Sequence, residues 1–158
     1  MSLYIKQKIF TWGDKFSVYD ENGSEKYYVR GEVFTLGKKL HLYDKAGGEL
    51  AFIEQKPFSF PARFSVLRHG CEVAQVIKEF TFFKQKYTVE SLGWTVQGNF
   101  FDHTYEITRG GTPVASVSKQ WFTLGDAYEI RFGAGADEIN VLAVVLVIDA
   151  CIAAQNNN

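Results

Sequence analysis

The sequence predicts an all-β fold carrying one helix: a closed antiparallel barrel of about twelve strands, in meander order, around a central hydrophobic C-terminal α-helix. Three observations lead there. Aromatic residues make up 16% of 158 positions, beside one Met and three Pro, a usage that favours pleated surfaces over helices. One short pattern recurs five times along the chain, and a single long apolar segment, residues 139–154, follows the last copy.

The repeated unit joins a Phe-Thr or Phe-Ser pair to a second large residue that opens an alternating run. Its copies are Phe10-Thr11 to Phe16, Phe34-Thr35 to Leu40, Phe58-Ser59 to Phe64, Phe80-Thr81 to Tyr87 and Phe122-Thr123 to Tyr128. The spacing is six positions in four copies and seven in the fourth. A strand ending at Phe-Thr/Ser, a turn of about four residues and a period-2 strand explain it. Asn22-Gly23, Gly47-Gly48, His69-Gly70 and Gly110-Gly111 supply the positive φ that the intervening hairpins need. The resulting strands centre on 3–10, 15–20, 26–34, 39–44, 49–58, 63–69, 72–82, 86–90, 93–97, 103–109, 113–122 and 127–133. No composition break divides them, so residues 1–158 read as one domain, with barrel strands over 3–133.

A repeat near 24 residues also fits a solenoid or propeller, but a propeller blade needs about 40 residues. An open sheet of twelve strands would leave long unpaired edges, and closure removes them. Closing so many strands creates an interior wider than side chains fill, which calls for a plug, a ligand or water. The central helix over 137–154 supplies the plug. Asp137 or the residue before it caps the N-terminus, Glu138 suits the positive end of the dipole, and Val141 to Ile152 is apolar on every face. A thirteenth strand is the competing reading, because of Val141, Val144, Val145, Val147 and Ile148, but sixteen residues exceed usual strand length and do not alternate. The uninterrupted apolar run is only Val141 to Ile148, short of the roughly 20 residues that span a bilayer, so the chain is not expected to be transmembrane.

Seventeen basic against eighteen acidic residues gives net −1, without the single-sign field of a general nucleic-acid binder. Cys71 and Cys151 read as free thiols of a reducing compartment, and no signal peptide is visible in Met1 to Phe10, so a cytoplasmic protein is expected, peripheral at a membrane if it meets one.

No G-x-S-x-G, H-E-x-x-H, P-loop or paired C-x-x-C appears, and an enzyme is not expected. Gly133-Ala134-Gly135 stands between strand and helix as a dinucleotide loop would, yet Asp137-Glu138 would repel a pyrophosphate, so a plain link is the better reading and no cofactor is expected. His69 and Cys71 are two zinc-ligand types short of the four a structural site needs; no metal is expected. His41 and the Asp102-His103 pair lack a nucleophile beside them and read as structural. Asp149, a carboxylate inside the apolar helix, reads as a structural anchor that either reaches the barrel mouth or accepts hydrogen bonds from backbone amides or a basic partner.

In a meander, alternate turns share one end of the barrel, so all five Phe-Thr/Ser turns fall on one rim. They contribute Lys15, Lys38, Lys39, Arg63, Lys84 and Lys86 against Asp14 and Asp126, a balance of +4. The opposite rim carries Asp20, Glu21, Glu25, Asp44, Glu49 and Glu72 against Lys26, Lys45, Arg68 and Arg109, a balance of −2. Turn lysines that keep hairpins soluble account for the first set. A basic rim that docks on anionic lipid headgroups or an acidic partner, with Trp12, Phe60 and Phe83 nearby, accounts for it as well.

Repeat and terminal helix together resemble the tubby-like superfamily of tubby C-terminal domains, phospholipid scramblases and LOR proteins. The nearest resemblance is to the bacterial LOR type, through Trp121-Phe122-Thr123-Leu124-Gly125-Asp126-Ala127-Tyr128-Glu129-Ile130 followed by Asp137-Glu138 and Val141 to Asp149. It implies a twelve-stranded barrel around a central helix and no particular substrate; with the repeat, the plug helix and the missing catalytic motifs, the leading expectation is a non-enzymatic tubby-like binding module. The proline-rich N-terminal segment and cysteine run of scramblases are missing, and the phosphoinositide-contacting residues of tubby domains have no matching positions here. The alternative function is a carrier holding a small hydrophobic ligand inside the barrel.

Overall fold

The computed structural model describes residues 1–6, 15–80, 84–120 and 127–156. Among them are twelve strands: β1 Ser2–Lys6, β2 Lys15–Tyr19, β3 Glu25–Gly31, β4 Lys39–Asp44, β5 Glu49–Gln55, β6 Arg63–Arg68, β7 Cys71–Phe80, β8 Gln85–Glu90, β9 Trp94–Asn99, β10 Thr104–Arg109, β11 Thr112–Gln120 and β12 Ala127–Phe132. Each pairs with its chain neighbours, and β1 pairs antiparallel with β12 from Ser2↔Arg131 to Lys6↔Ala127, closing the barrel. Closure follows from the alternation: Leu40 and Leu42, Ala51 and Ile53, Phe64 and Val66, Tyr87 and Val89 all turn inward, and every strand must present that face to a shared core. Register shifts in β2, β4, β6 and β10, each one step before the following turn, add the local twist that a closed sheet needs.

The helix α1, Glu138–Asn156, runs through the middle, with twelve of its nineteen residues buried, among them the whole run Val141 to Ile148. By length and composition alone it could cross a bilayer; here the barrel wall takes the place of lipid. Asp137 caps its N-terminus, accepting from the Asn140 amide at 3.0 Å. Arg68 holds that carboxylate at 2.9 Å, and Lys26 holds Glu138 at 2.9 Å, so the turns β2–β3 and β6–β7 fix the helix at one rim. Its C-terminus emerges at the other rim, where the Lys38 ammonium donates to the Ala150 carbonyl at 2.7 Å. The helix brings no cation of its own to its last turn; Lys38 of the wall places one beside its C-terminal half.

Two strand ends differ from the sequence reading. The sequence places Phe34 and Phe58 at the ends of strands, but β3 stops at Gly31 and β5 at Gln55, and both phenylalanines are turn residues with φ of 59° and 60°. A left-handed residue cannot continue the ladder, which is why pairing ends before them. The expectations for Phe10-Thr11, Trp12, Asp14, Phe83, Trp121, Phe122-Thr123 and Asp126 lie outside the described residues. Gly133 donates to the Val114 carbonyl at 2.8 Å, and a Cβ there would meet that oxygen at 2.9 Å, so the Gly-Ala-Gly segment is a strand-to-helix link pressed against β11.

Candidate functional site

The structure brings chemistry together at the rim where α1 ends. Asp149, on the last buried turns of the helix, accepts a hydrogen bond from the Tyr128 hydroxyl, and its other oxygen lies 3.7 Å from His103 Nδ1. The His103 ring stacks on Tyr128 with centroids 4.4 Å apart and planes within 4°. Tyr105, the next inward residue of β10, buries its hydroxyl beside this group without a hydrogen-bond partner among the described residues, as does Asp149 Oδ1. Burial raises the Asp149 carboxyl to about 7, with the Tyr128 hydrogen bond pulling the other way. The same desolvation lowers His103, helped by the Lys119 charge, and raises the Cys151 thiol. Lys38 falls to about 8 for that reason. The sequence reading had Asp149 either reach the barrel mouth or accept hydrogen bonds from backbone amides or a basic partner; it lies near the mouth, beside an imidazole, and the hydrogen bond it accepts comes from a tyrosine hydroxyl.

The six basic residues named from the sequence all begin at this rim, on its turns or the first residues of its strands. The Lys15 ammonium, however, runs along the outer wall away from the mouth, reaching Glu25 at the far end of the β2–β3 pair at 3.9 Å and lying over the Tyr28 ring at 4.2 Å. Lys39 faces Glu54 at 3.9 Å across the β4–β5 pair, Arg63 meets Glu90 at 3.3 Å and Gln75 at 2.6 Å, and Lys86 meets Glu79 at 3.8 Å. These four pairs are half-exposed, worth about 0–1 kcal/mol each, so a stronger anion can compete for the cations. Lys38 turns instead toward the helix end, and Lys84 is exposed at the start of β8. Lys78, buried on the inner face of β7, and exposed Lys56 join them at this end.

The same rim carries the exposed apolar side chains. Val33, Phe34 and Leu36 sit on the β3–β4 turn, Phe58 and Phe60 on the β5–β6 turn, Phe80 ends β7, and Phe101 lies on the β9–β10 turn. Among the described residues these are seven of the eight large exposed apolar residues; Met1, at the other rim, is the eighth. Phe60 was legible as a rim aromatic, whereas Phe34 and Phe58 were hidden by their placement at strand ends.

Other residues singled out in the sequence are dispersed. His41 lies on the outer face of β4 between Glu32 and Glu49, at 3.3 and 3.2 Å, stacked on Phe52. His69 and exposed Cys71 flank the β6–β7 turn. No three His, Cys, Asp or Glu side chains converge to hold a metal ion among the described residues.

Comparison with known proteins agrees with this architecture. The Arabidopsis thaliana protein AT5G01750 superposes with a TM-score of 0.69 over 95% of this chain and 90% of its own, at 17% identity, which bears on fold alone. The uncharacterized protein YxjI of Bacillus subtilis (strain 168) is 34% identical over 149 residues, covering 94% of this chain and 92% of that protein. Residues 1–149 match the family described as LOR, LURP-one-related, and with the barrel and its central helix in place the chain belongs to that family.

Proposed function

We propose that the chain is a non-catalytic, tubby-like binding module that docks through the rim at the helix C-terminus on an anionic phospholipid surface, as a peripheral cytoplasmic protein. One observation carries the reading: Lys38, Lys39, Arg63, Lys84 and Lys86 share a single rim, and the turns of the other rim hold Asp20, Glu21, Asp44 and Glu72. A protein of net −1 thereby presents a cationic end, and each cation near an anionic leaflet contributes about 1 kcal/mol. The carrier alternative needs interior space, and α1 occupies the barrel axis.

Cosedimentation with vesicles tests the proposal. Binding is expected to phosphatidylserine-containing vesicles at low salt, with weaker binding to pure phosphatidylcholine. Reversing Lys39, Lys84 and Lys86 to Glu lowers binding while leaving the melting temperature nearly unchanged, because half-exposed pairs contribute little to stability. Failure of the parent to sediment with anionic vesicles at low salt overturns the reading, and equal sedimentation of parent and variant removes these cations from it.

A further inference from the structure

We infer that the turn tips of the basic rim are apolar anchors that enter the bilayer interface, so that docking is an insertion and the cations only orient it; this rests on the membrane reading above. Phe34, Phe58 and Phe60 are 105%, 93% and 87% exposed, so among the described residues these rings stand largely uncovered, with only Phe80 stacked on Phe60. A monomer has no use for such exposure in its own core, and clustered apolar surface rimmed by polar groups marks an interaction face.

Backbone conformation supports the same assignment. Phe34 and Phe58 hold equivalent places in two copies of the repeat, both with left-handed φ, 59° and 60°. Gly or Asn adopts that conformation at lower cost, whereas a bulky aromatic there is an outlier. The fold thus accepts strain twice to hold an uncovered phenyl ring at a turn tip, and strain of this kind concentrates where a residue serves something beyond the fold.

The occupant is lipid on grounds of shape and charge. The tips lie on neighbouring turns, β3–β4 and β5–β6, and Phe60 stacks on Phe80 at 5.4 Å, which joins the second tip to the end of β7 as one outward aromatic pair. Convex tips of single rings suit a fluid interface. Lys39 opens β4, Lys84 precedes β8 and Lys86 lies at its start, so these cations follow directly on the rim turns, in reach of headgroup phosphates when the rings enter the interface. Four of the rim's cations already share glutamates, so charge alone gives a modest pull.

The test separates insertion from adhesion. Phosphatidylserine/phosphatidylcholine vesicles are titrated with the parent and with Phe34→Ser/Phe58→Ser/Phe60→Ser at 0.1 M and 1 M NaCl. At 1 M the screening length is about 3 Å, so charge attraction is nearly lost. The parent is expected to keep measurable binding there, and the triple variant to bind at least about 100-fold more weakly at either salt, on the basis of about tenfold per ring withdrawn from water. A second probe, Phe58→Trp, adds indole emission at the turn tip that brominated acyl chains quench. Parent binding that vanishes at 1 M NaCl, an unchanged triple variant, or added emission that brominated chains leave unquenched overturns insertion while the electrostatic docking stands. A parent that binds no vesicle at either salt overturns both.

Discussion

Replacing Asp149 by Asn should flatten the dependence of stability on pH. The Asp149 carboxyl sits at about 7 in the folded chain against an ordinary 3.8, because burial disfavours its charged form. Its folded value is the higher one, so its contribution is complete below pH 3.8 and declines as pH rises toward 7, where the unfolded chain is ionised and the folded chain still holds the proton. At 1.36 kcal/mol per pH unit the full loss is about 4 kcal/mol, of which about 3 kcal/mol falls between pH 5 and 8. The carboxamide of the Asp149→Asn variant keeps an acceptor for the Tyr128 hydroxyl and does not titrate. His103, lowered in the folded chain, acts with the opposite sign, gaining as pH rises toward 6.5. Urea unfolding of parent and variant at pH 5, 6, 7 and 8 reads the carboxyl together with its effect on His103, 3.7 Å away. The variant should gain on the parent by about 3 kcal/mol across that range, most of it below pH 7. A difference constant within about 0.5 kcal/mol would show that Asp149 is solvated and ordinary, and would remove the argument from burial.

Two further outcomes follow from packing. A chain ending at Gly135 should lose cooperative melting, because the twelve buried helix residues are the core on which every strand packs, at roughly 1.5–3 kcal/mol for each large side chain; a sharp near-parent transition by circular dichroism would contradict a central plug. Gly98→Ala should destabilise by about 2–4 kcal/mol in urea, since its φ is 144° and a Cβ would lie 2.5 Å from the Thr104 carbonyl oxygen and the Tyr105 Cα; an unchanged midpoint would mean that β9 and β10 part freely there.

What the sequence disclosed, and what it withheld, divides along the distance over which residues cooperate. Strand after strand was legible because alternation is a local property, as in Leu40, Leu42 and then Ala51, Ile53. The helix was legible because an all-apolar run has one destination. Asp149's partners were not: His103 and Tyr128 reach it from the start of β10 and from β12, and only the closed barrel brings those strands to the same turn of α1. The pairing of Lys39 with Glu54 also needed the register of β4 on β5, which no single strand encodes. Phe34 was misplaced for a subtler reason. Apolar character argues for a strand, and what excludes it from one, a left-handed φ, leaves no mark in residue type.

Chain order imposes a condition on how this molecule forms. The central helix follows all twelve strands, and the seam that closes the barrel joins β1 to β12, so Leu3 meets Ile130 across most of the chain. Until α1 arrives, the inner faces of the strands have only one another or water to touch. Contacts of such long sequence range carry their loop entropy in advance of any reward, which places the chain among slow folders. During synthesis the strands therefore leave the ribosome before the helix that covers their inner faces, and the apolar sides of those hairpins stay exposed until α1 has been made.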